Sequence, residues 1–161
     1  MTLIEPADND DLDELADLWV DLVASQREHG THLLASPNRT AARDVLGRYV
    51  TAGDVLVARD TQIQGFVMYH VQTGLYQQDQ ERGVIDNVYV RPAVRDQGLG
   101  SALLTAAEDA LIEAGVDVLS ISVLAANDRA RALYERHGYT THRLELERTV
   151  GSDNDSSHDP E

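Results

Sequence analysis

The feature that most constrains the fold is a run of strand-forming residues that leads directly into a glycine-containing helix start. Residues 83–90, GVIDNVYV, are rich in valine, isoleucine and tyrosine, which is the pattern of a largely buried strand. The next segment, RPAVRDQGLG, places Gly98 and Gly100 where a helix that continues with SALL must begin. Glycine costs about 1 kcal/mol relative to alanine inside a helix. Two glycines at this junction therefore serve something other than helix stability.

A helix start without bulky side chains is suited to binding an anion. Its first turn carries backbone N–H groups with no intrahelical partner and the positive end of the helix dipole. Gly98 and Gly100 allow an anion to approach those N–H groups closely. Arg95, Gln97 and Ser101 add a positive charge, an amide and a hydroxyl. The segment is therefore predicted to hold a pyrophosphate, and the simpler alternative is an ordinary glycine turn before a helix.

Two common phosphate-binding motifs are excluded by the residues present. The P-loop requires a lysine after its second glycine, whereas all 13 basic residues of this chain are arginine. The dinucleotide fingerprint GxGxxG requires a third glycine at the position where Leu103 stands. The predicted ligand is thus a phosphate compound of another class.

The charge balance limits the partners of the protein. The 161 residues include 28 acidic and 13 basic ones and no cysteine, with a formal net charge of −15. This charge repels phosphate backbones and argues against nucleic acid as a partner. The chain shows no signal-peptide pattern and no run of roughly 18 apolar residues that would form a membrane helix. We therefore expect a cytoplasmic protein without a membrane partner.

The same composition indicates an environment rich in salt. Salt at 1 M screens charge repulsion beyond about 3 Å, and an acidic chain without lysine or cysteine is typical of a halophile. We therefore predict a halophilic archaeon as the source. The alternative is a GC-rich genome that favours arginine codons in a merely acidic protein.

Hydrophobic spacing predicts a single mixed sheet with helices packed around it. The predicted strands are 3–6, 54–60, 63–72, 83–90, 117–125 and 139–147, and the predicted helices are a first one capped by Asn9 or Asp10, then 38–51, 98–114 and 127–137. This β-α-α-β-β-β-α-β-α-β order predicts an α+β fold whose sheet is mostly antiparallel. Residues 1–149 are predicted to form one domain, and residues 150–161 a disordered acidic tail.

Two segments of the chain resemble motifs of one known family. RDQGLG, residues 95–100, resembles the R/Q-x-x-G-x-G/A motif of the GNAT superfamily of N-acetyltransferases, which bind acetyl-coenzyme A (acetyl-CoA). NDRARALYERHGY, residues 127–139, is similar to that family's N-x-x-A-x-x-L-Y-x-x-x-G-F/Y segment. The likeness spans roughly residues 2–147. It implies the GNAT fold, with the first motif between the fourth strand and the third helix, and acetyl-CoA as co-substrate without a metal.

The resemblance also implies which residues contact the coenzyme. They are Val88, Tyr89, Val90, Arg95, Asp96, Gln97, Gly98, Leu99, Gly100, Ser101, Asn127 and Tyr134. The backbone N–H groups of residues 95–101 would hold the pyrophosphate, and the strand edge at 88–90 would bind the pantetheine arm and polarise the thioester carbonyl. Core packing is the alternative role for the valines, and capping of a helix is the alternative role for Asn127.

Tyr134 and Asp86 are the catalytic residues that the resemblance implies. Tyr134 would protonate the leaving thiolate, which suits a phenol with a pKa near 10, and its alternative is a tyrosine that only packs. Asp86 stands where many family members carry glutamate and would take the amine proton through a water. Its shorter side chain leaves His70 as a second candidate base. Asn87 is expected on the opposite face of the strand and is not a base.

The acceptor side is less determined by the sequence. The resemblance implies that the loop carrying His29 and His32 faces the acceptor. Because no third ligand is evident, these two histidines predict no metal site. Glu28 and Asp86 would suit a cationic amine. The expected reaction is acetyl transfer to a primary amine of a small molecule or a protein N-terminus, by direct attack in a ternary complex. A non-catalytic acyl-CoA-binding sensor is the alternative. Homodimers are common in the family, and the sequence leaves this state open.

Overall fold

The computed structural model describes residues 2–151, in which five strands form one sheet and four α-helices flank it. The strands are β1 (Leu3–Pro6), β2 (Val55–Arg59), β3 (Ile63–Val71), β4 (Arg82–Val90) and β5 (Val118–Ile121). The helices are α1 (Leu12–Gln26), α2 (Arg39–Ala52), α3 (Leu99–Glu113) and α4 (Asp128–Arg136). None of the helices in this described part is long and apolar enough to cross a membrane.

The sheet is mixed and mostly antiparallel, as predicted. Its strands follow the chain order from β1 to β5, and the pairs among β1, β2, β3 and β4 are antiparallel. After the crossover through α3, β5 pairs with β4 in parallel. This last pairing joins only residues 82–85 to residues 118–121. Within the described chain, the remaining residues of β4, 86–90, have no partner strand on that edge.

Alternate side chains of the central strands enter two separate apolar layers. On one face Phe66 and Tyr89 pack among leucines of α1 and α2. On the other face Val67 and Val90 pack against α3, around the fully buried Leu103. Because both faces are covered by helices, β3 reads as a nearly continuous apolar run rather than a strict alternation of apolar and polar residues.

The first helix begins after Asp11, which is its N-cap, rather than at the predicted Asn9 or Asp10, and Asp8 caps the turn before it. A 3-10 turn precedes α1, in which Asp8 accepts a hydrogen bond from the backbone N–H of Asp10 at 2.9 Å. The Asp11 carboxylate accepts one from the N–H of Asp8 and two from the guanidinium of Arg59 on β2. Burial alone would raise the pKa of Asp11, but these hydrogen bonds outweigh it and lower that pKa. The cap thereby ties α1 to the sheet.

The predicted sixth strand, 139–147, is not formed in the structure. Residues 140–151 have no regular secondary structure and are exposed. Leu144 and Leu146 alternate with charged residues as in a strand, yet their exposed fractions are 76% and 88%. Alternation makes a strand only where a neighbouring strand supplies hydrogen bonds, and among the described residues none pairs with this segment. The predicted acidic tail lies outside the described residues from position 152 onward.

Gly65 generates a test of the sheet, because β3 and β4 approach each other most closely there. A Cβ at this position would lie 2.5 Å from the carbonyl oxygen of Tyr89 and 3.2 Å from the Cα of Val90. Both are backbone atoms that cannot move aside. Gly65→Ala is therefore expected to lower the free energy of unfolding by about 1–3 kcal/mol, measured by urea denaturation. Gly74→Ala is the matched control, because a Cβ there meets no atom within 4 Å. Equal stability of the two variants would contradict the close approach.

Candidate active site

Along the open edge of β4, the side chains and the main-chain groups have different surroundings. The side chains of Val88 and Val90 pack in the α3 layer, while Tyr89 faces α1 and α2. No described strand pairs with the main chain of residues 86–90 on this edge. The side chains of the two valines therefore have the predicted packing role, and this leaves the open edge of their strand accessible to an extended ligand.

The start of α3 lies just beyond the C-terminal end of this edge. Gly98 is the N-cap with a φ of 83°, and Asp96 has a φ of 65°. The first helical hydrogen bond is donated by Ala102 to the carbonyl of Gly98 at 3.0 Å. Among the described residues, the backbone N–H groups of residues 96–101 donate to no backbone carbonyl. Left-handed residues in such a loop gather successive N–H groups into an anion-binding concavity.

The charges around residues 95–101 favour an anion. The Nε of Arg95 donates to the carbonyl of Val90 at 3.0 Å, and its guanidinium lies 5.5 Å from the ring centroid of Tyr89. Arg129 of α4 donates to the carboxylate of Asp96 at 2.8 Å. The first turn of α3 carries no acidic residue. The positive end of the helix dipole is therefore not cancelled by a free carboxylate.

Helix α4 packs beside this loop and carries the second motif. A Cβ at Gly100 would lie 3.7 Å from Leu133, the neighbour of Tyr134. Burial raises the pKa of Tyr134 to about 12, and none of the side-chain hydrogen bonds among residues 2–151 involves its hydroxyl. Tyr134 is therefore a phenol that stays protonated at neutral pH. Asn127 caps α4 by accepting from the N–H of Ala130 at 3.2 Å, as the simpler interpretation predicted.

A β-bulge in β4 decides where Asp86 and Asn87 point. Met68 pairs with Asn87 and Tyr69 pairs with Ile85, so Asp86 is an extra residue without a partner in β3. Such a residue interrupts the alternation of side chains. Asp86 and Asn87 consequently line the same cleft, between α1, α2 and the sheet. The prediction that Asn87 faces the opposite side is wrong, because it assumed an unbroken strand.

Asp86 and His70, which were predicted as alternative bases, contact each other in one polar cluster. Its Oδ2 lies 2.7 Å from Nδ1 of His70, and the hydroxyl of Tyr49 lies 3.2 Å from the same nitrogen. The Asp86 and His70 side chains are 25% and 34% exposed, so water reaches both. Burial and the neighbouring carboxylate raise the pKa of Tyr49 to about 12. Tyr49 was not predicted, because only the packing of α2 against the sheet brings it to this pair.

The cleft above this cluster holds about 450 Å³ and has mostly apolar walls. Its lining residues are Trp19, Leu33, Asn38, Ala41, Ala42, Val45, Leu46, Tyr49, Met68, Asp86 and Asn87. The two helices therefore supply an apolar wall over a polar base. A molecule of modest size fits such a volume.

The histidines of the loop after α1 are not part of this lining. His32 pairs with the exposed Glu147 at 2.9 Å, and His29 lies 4.0 Å from Glu28. The loop contributes Leu33 to the cleft lining, whereas Glu28, His29 and His32 are not among the lining residues. Residues 2–151 contain no cluster of three or more candidate metal ligands.

A second polar chain runs from the start of α3 to the end of α4. Ser101 Oγ lies 2.7 Å from His137 Nε2, and His137 Nδ1 lies 3.3 Å from a carboxylate oxygen of Glu108. The hydroxyl of Tyr139 donates to the other oxygen of Glu108 at 2.8 Å. Ser101 was predicted in the phosphate loop, but His137 and Glu108 were not predicted, because contacts over such sequence separations leave no spacing signal.

Comparisons with known proteins point to one family. The sequence profile of the Acetyltransferase (GNAT) family matches residues 16–139. A mycothiol acetyltransferase from Streptomyces avermitilis is 34% identical over 97 residues, which cover 59% of this chain and 29% of that protein. The chain thus spans less than a third of the length of this curated relative.

Solved structures share the fold over nearly the whole chain. A GCN5-related N-acetyltransferase from Ralstonia eutropha matches with a TM-score of 0.75 and 23% identity, covering 94% of this chain and 100% of that one. The PaiA N-acetyltransferase from Thermoplasma acidophilum, solved in complex with coenzyme A, matches with a TM-score of 0.76 and 14% identity, covering 90% and 93%. These likenesses confirm the predicted α+β fold.

The cluster around Asp86 makes a measurable prediction for Tyr49. A carboxylate beside a phenol disfavours the tyrosinate, so Asp86→Asn is expected to lower the pKa of Tyr49 from about 12 toward the ordinary value. Burial keeps it above about 10. The titration is followed by NMR of the labelled tyrosine ring carbon. Asp60→Asn, in the exposed turn between β2 and β3, is the control. A Tyr49 pKa that is the same in both variants would show that Asp86 is not its neighbour.

Proposed function

Because the chain belongs to the GNAT acetyltransferase family, we propose that it transfers the acetyl group of acetyl-CoA to a primary amine. The acceptor is a small molecule or a protein N-terminus, and transfer occurs by direct attack in a ternary complex. The observation that carries this proposal is the adjacency of two sites along β4. The open edge leads to the N–H groups at the start of α3, and the bulge on the same strand carries Asp86 into the cleft.

The residues along the open edge fit coenzyme A. A pyrophosphate needs closely spaced donors and no competing acid, which the N–H groups of residues 96–101 and the positive end of α3 supply. A pantetheine arm carries amide groups that pair with a strand edge, and residues 88–90 offer one. We assign the backbone of residues 88–90 and 95–101, with Asn127 and Tyr134, to holding the coenzyme.

The polar cluster prepares the acceptor for attack. Acetyl-CoA supplies the acetyl group as a thioester. The Asp86–His70 pair takes a proton from the acceptor ammonium, directly or through water, and releases it to solvent. The neutral amine nitrogen then forms a bond to the carbonyl carbon while the carbon–sulfur bond breaks. The N–H groups at the open edge of β4 stabilise the charge that develops on the carbonyl oxygen.

Tyr134 is assigned to the leaving sulfur. Its pKa of about 12 stands well above the roughly 8.5 of a free thiol, which would oppose proton transfer in water. The same burial that raises the pKa of the phenol also raises that of a thiol beside it. Burial thus shifts the pKa values of both groups in the same direction, and the Tyr134 proton moves to sulfur and is replaced by the one the attacking nitrogen releases.

The acceptor cleft favours turnover over acyl-CoA sensing. A sensor requires the open edge and the loop at residues 95–101, but it needs no second pocket with a base. Here the Asp86–His70 pair lies at the base of a cleft beside the thioester position implied by the open edge. The net charge of −15 further supports a halophile's salt-rich cytoplasm as the working environment, so assays are run in about 2 M KCl.

The proposed function is tested by release of free thiol from acetyl-CoA with a panel of amines. The panel contains polyamines, amino acids, aminoglycosides, simple alkyl- and arylamines, and short peptides with different first residues. Turnover with one class is expected and identifies the acceptor. Tight coenzyme A binding with no turnover anywhere would favour the sensor. Absence of coenzyme A binding would overturn both readings.

Gly100 provides a matched pair of variants for the pyrophosphate site. Gly100→Asp places a carboxylate against the loop and is expected to weaken coenzyme A binding more than tenfold, since like charges in contact cost several kcal/mol. Gly100→Ala should bind nearly as well as the wild type, because its Cβ meets Leu133 and Val90 at ordinary distances of 3.7 and 3.8 Å. Isothermal titration calorimetry measures both. Full affinity in Gly100→Asp would place the pyrophosphate elsewhere.

Tyr134→Phe separates catalysis from binding. Loss of the proton donor is expected to lower kcat by about 100-fold or more, while the dissociation constant for coenzyme A stays nearly unchanged. Tyr76→Phe is the control, because Tyr76 is an exposed tyrosine in the connection between β3 and β4. Thiol release and calorimetry give the two quantities. An unchanged kcat in Tyr134→Phe would remove the proton-donor role.

A further inference from the structure

The acceptor cleft has apolar walls and a single charged group. Trp19 of α1, Val45 of α2 and Met68 of β3 contribute apolar surface. The polar atoms of Tyr49 and Asp86 come together at the base, since both side chains contact His70. The base of the cleft is therefore suited to the cationic group of an acceptor, and the walls are suited to an uncharged body.

Away from Asp86 the lining carries no charge, and its polar amides are Asn38 and Asn87, the latter next to Asp86 in β4. Asp86 is the one ionised residue among the described residues that line the cleft, and no arginine is among them. The side-chain amide of Asn38 already donates to the carbonyl of Leu34 at 2.9 Å. An acceptor carboxylate would find no cation in this lining, and Asp86 repels it. A second ammonium or a set of hydroxyls placed against Trp19 and Val45 would lose its water, and these two side chains offer no replacement partner.

We infer that the acceptor is a monoamine on an apolar body, an alkyl- or arylamine without a carboxylate. The ammonium lies at Asp86, and the body lies against the wall formed by Trp19 and Val45. A cleft of about 450 Å³ is within the usual size of small-molecule pockets. This inference rests on the proposed acetyl transfer and names the class of amine that the transfer uses.

The test compares amines that differ in one group. In the alkyl series from butylamine to octylamine, kcat/KM is expected to rise by up to about fourfold per methylene, the value of burying one such group. Phenethylamine should exceed phenylalanine, and octylamine should exceed 1,8-diaminooctane, each by more than tenfold. Glucosamine should be a poor acceptor.

A positive charge introduced at the rim of the cleft tests the same inference, with a matched control outside the cleft. Ala41 is exposed and lines the cleft, so Ala41→Arg is expected to reduce the preference for phenethylamine over phenylalanine. Ala24→Arg, on the exposed side of α1 and outside the lining, should leave it unchanged. A preference for the amino acid, the diamine or the amino sugar would overturn the inference. So would the absence of turnover with every simple amine in a protein that binds coenzyme A. Failure to bind coenzyme A would instead overturn the proposed function.

A separate observation concerns the half-buried chain of side chains Ser101–His137–Glu108. The side chains of His137 and Glu108 are 13% and 14% exposed. One carboxylate oxygen of Glu108 accepts a hydrogen bond from the Tyr139 hydroxyl, and the other faces His137 Nδ1. An acceptor opposite Nδ1 requires that nitrogen to carry a hydrogen. The state of the second ring nitrogen, Nε2, is then set by whether the ring is neutral or charged.

The charge on His137 decides what Ser101 can donate. With a neutral ring, Nε2 is an acceptor, and the Ser101 hydroxyl donates its one proton to it at 2.7 Å. With a charged ring, Nε2–H donates to Ser101 Oγ, and the Ser101 proton is free for an anion at the start of α3. The groups that contact His137 are Ser101 and Glu108 of α3, with Tyr139 behind Glu108.

We propose that His137 is a positioning residue that takes up a proton when the coenzyme binds. The charged ring turns the Ser101 hydroxyl toward the pyrophosphate, and Glu108 supplies the counter-charge. Affinity is therefore expected to fall as pH rises, which is the order expected when the protonated form of the protein binds better. This proposal also rests on the coenzyme site of the proposed function.

Calorimetry with 3′-dephospho-coenzyme A tests this coupling. That probe keeps the pyrophosphate but lacks the 3′-phosphate, whose own ionisation near pH 6 would obscure the result. Titrations between pH 5 and 9, in buffers with different ionisation enthalpies, are expected to show uptake of up to about one proton and up to tenfold weaker binding per pH unit.

His137→Gln distinguishes positioning from mere structure. The glutamine amide donates to Ser101 at every pH, so binding is expected to persist while proton uptake disappears. Ser101→Ala should bind more weakly at low pH and also lose the uptake. A wild type without proton uptake, or the same uptake in His137→Gln, overturns the proposal. Absence of probe binding in all proteins would instead count against the coenzyme site itself.

Discussion

The early end of the pairing between β4 and β5 is the constraint on which the rest of the site depends. Four residues of each strand are joined, and β4 then continues alone from residue 86 to residue 90. An unpaired strand edge presents unsatisfied N–H and C=O groups to whatever approaches it. The start of α3 at Leu99 folds back beside the end of β4, since a Cβ at Gly100 would lie 3.8 Å from Val90. The backbone thus offers donors and acceptors on the strand edge and further donors at the helix start to an extended ligand with an anionic group at one end.

The bulge at Asp86 connects this edge to the acceptor side. It lies at the first residue of β4 beyond the pairing with β5, and it turns Asp86 and Asn87 toward α1 and α2. The coenzyme and the acceptor are therefore proposed to reach one strand from different directions. A chain with net charge −15 holds an anion in this scheme because N–H groups and the helix dipole act at contact distance. In salt of about 1 M or more, the distant carboxylates are screened within a few ångströms.

Features encoded in consecutive residues could be predicted from the sequence. The start of α3 at Gly98 followed from RDQGLGSALL, and the helices and the five strands observed followed from apolar spacing. Features that depend on other elements could not. The bulge at Asp86 arises from register with β3, and the contacts of His70 with Tyr49 and of Ser101 with His137 join distant segments. The alternation at residues 139–147 was real, but a strand also requires a neighbour.

Hydrogen exchange of backbone amides tests the central claim most directly, because the claim concerns main-chain groups rather than side chains. Exchange is measured by NMR or mass spectrometry in about 2 M KCl, with and without saturating coenzyme A. The account predicts slower exchange at residues 88–90 and 96–101 on binding, with the outer edge of β1 unchanged. Binding that leaves these amides unprotected, or protects a different edge of the sheet, would contradict it.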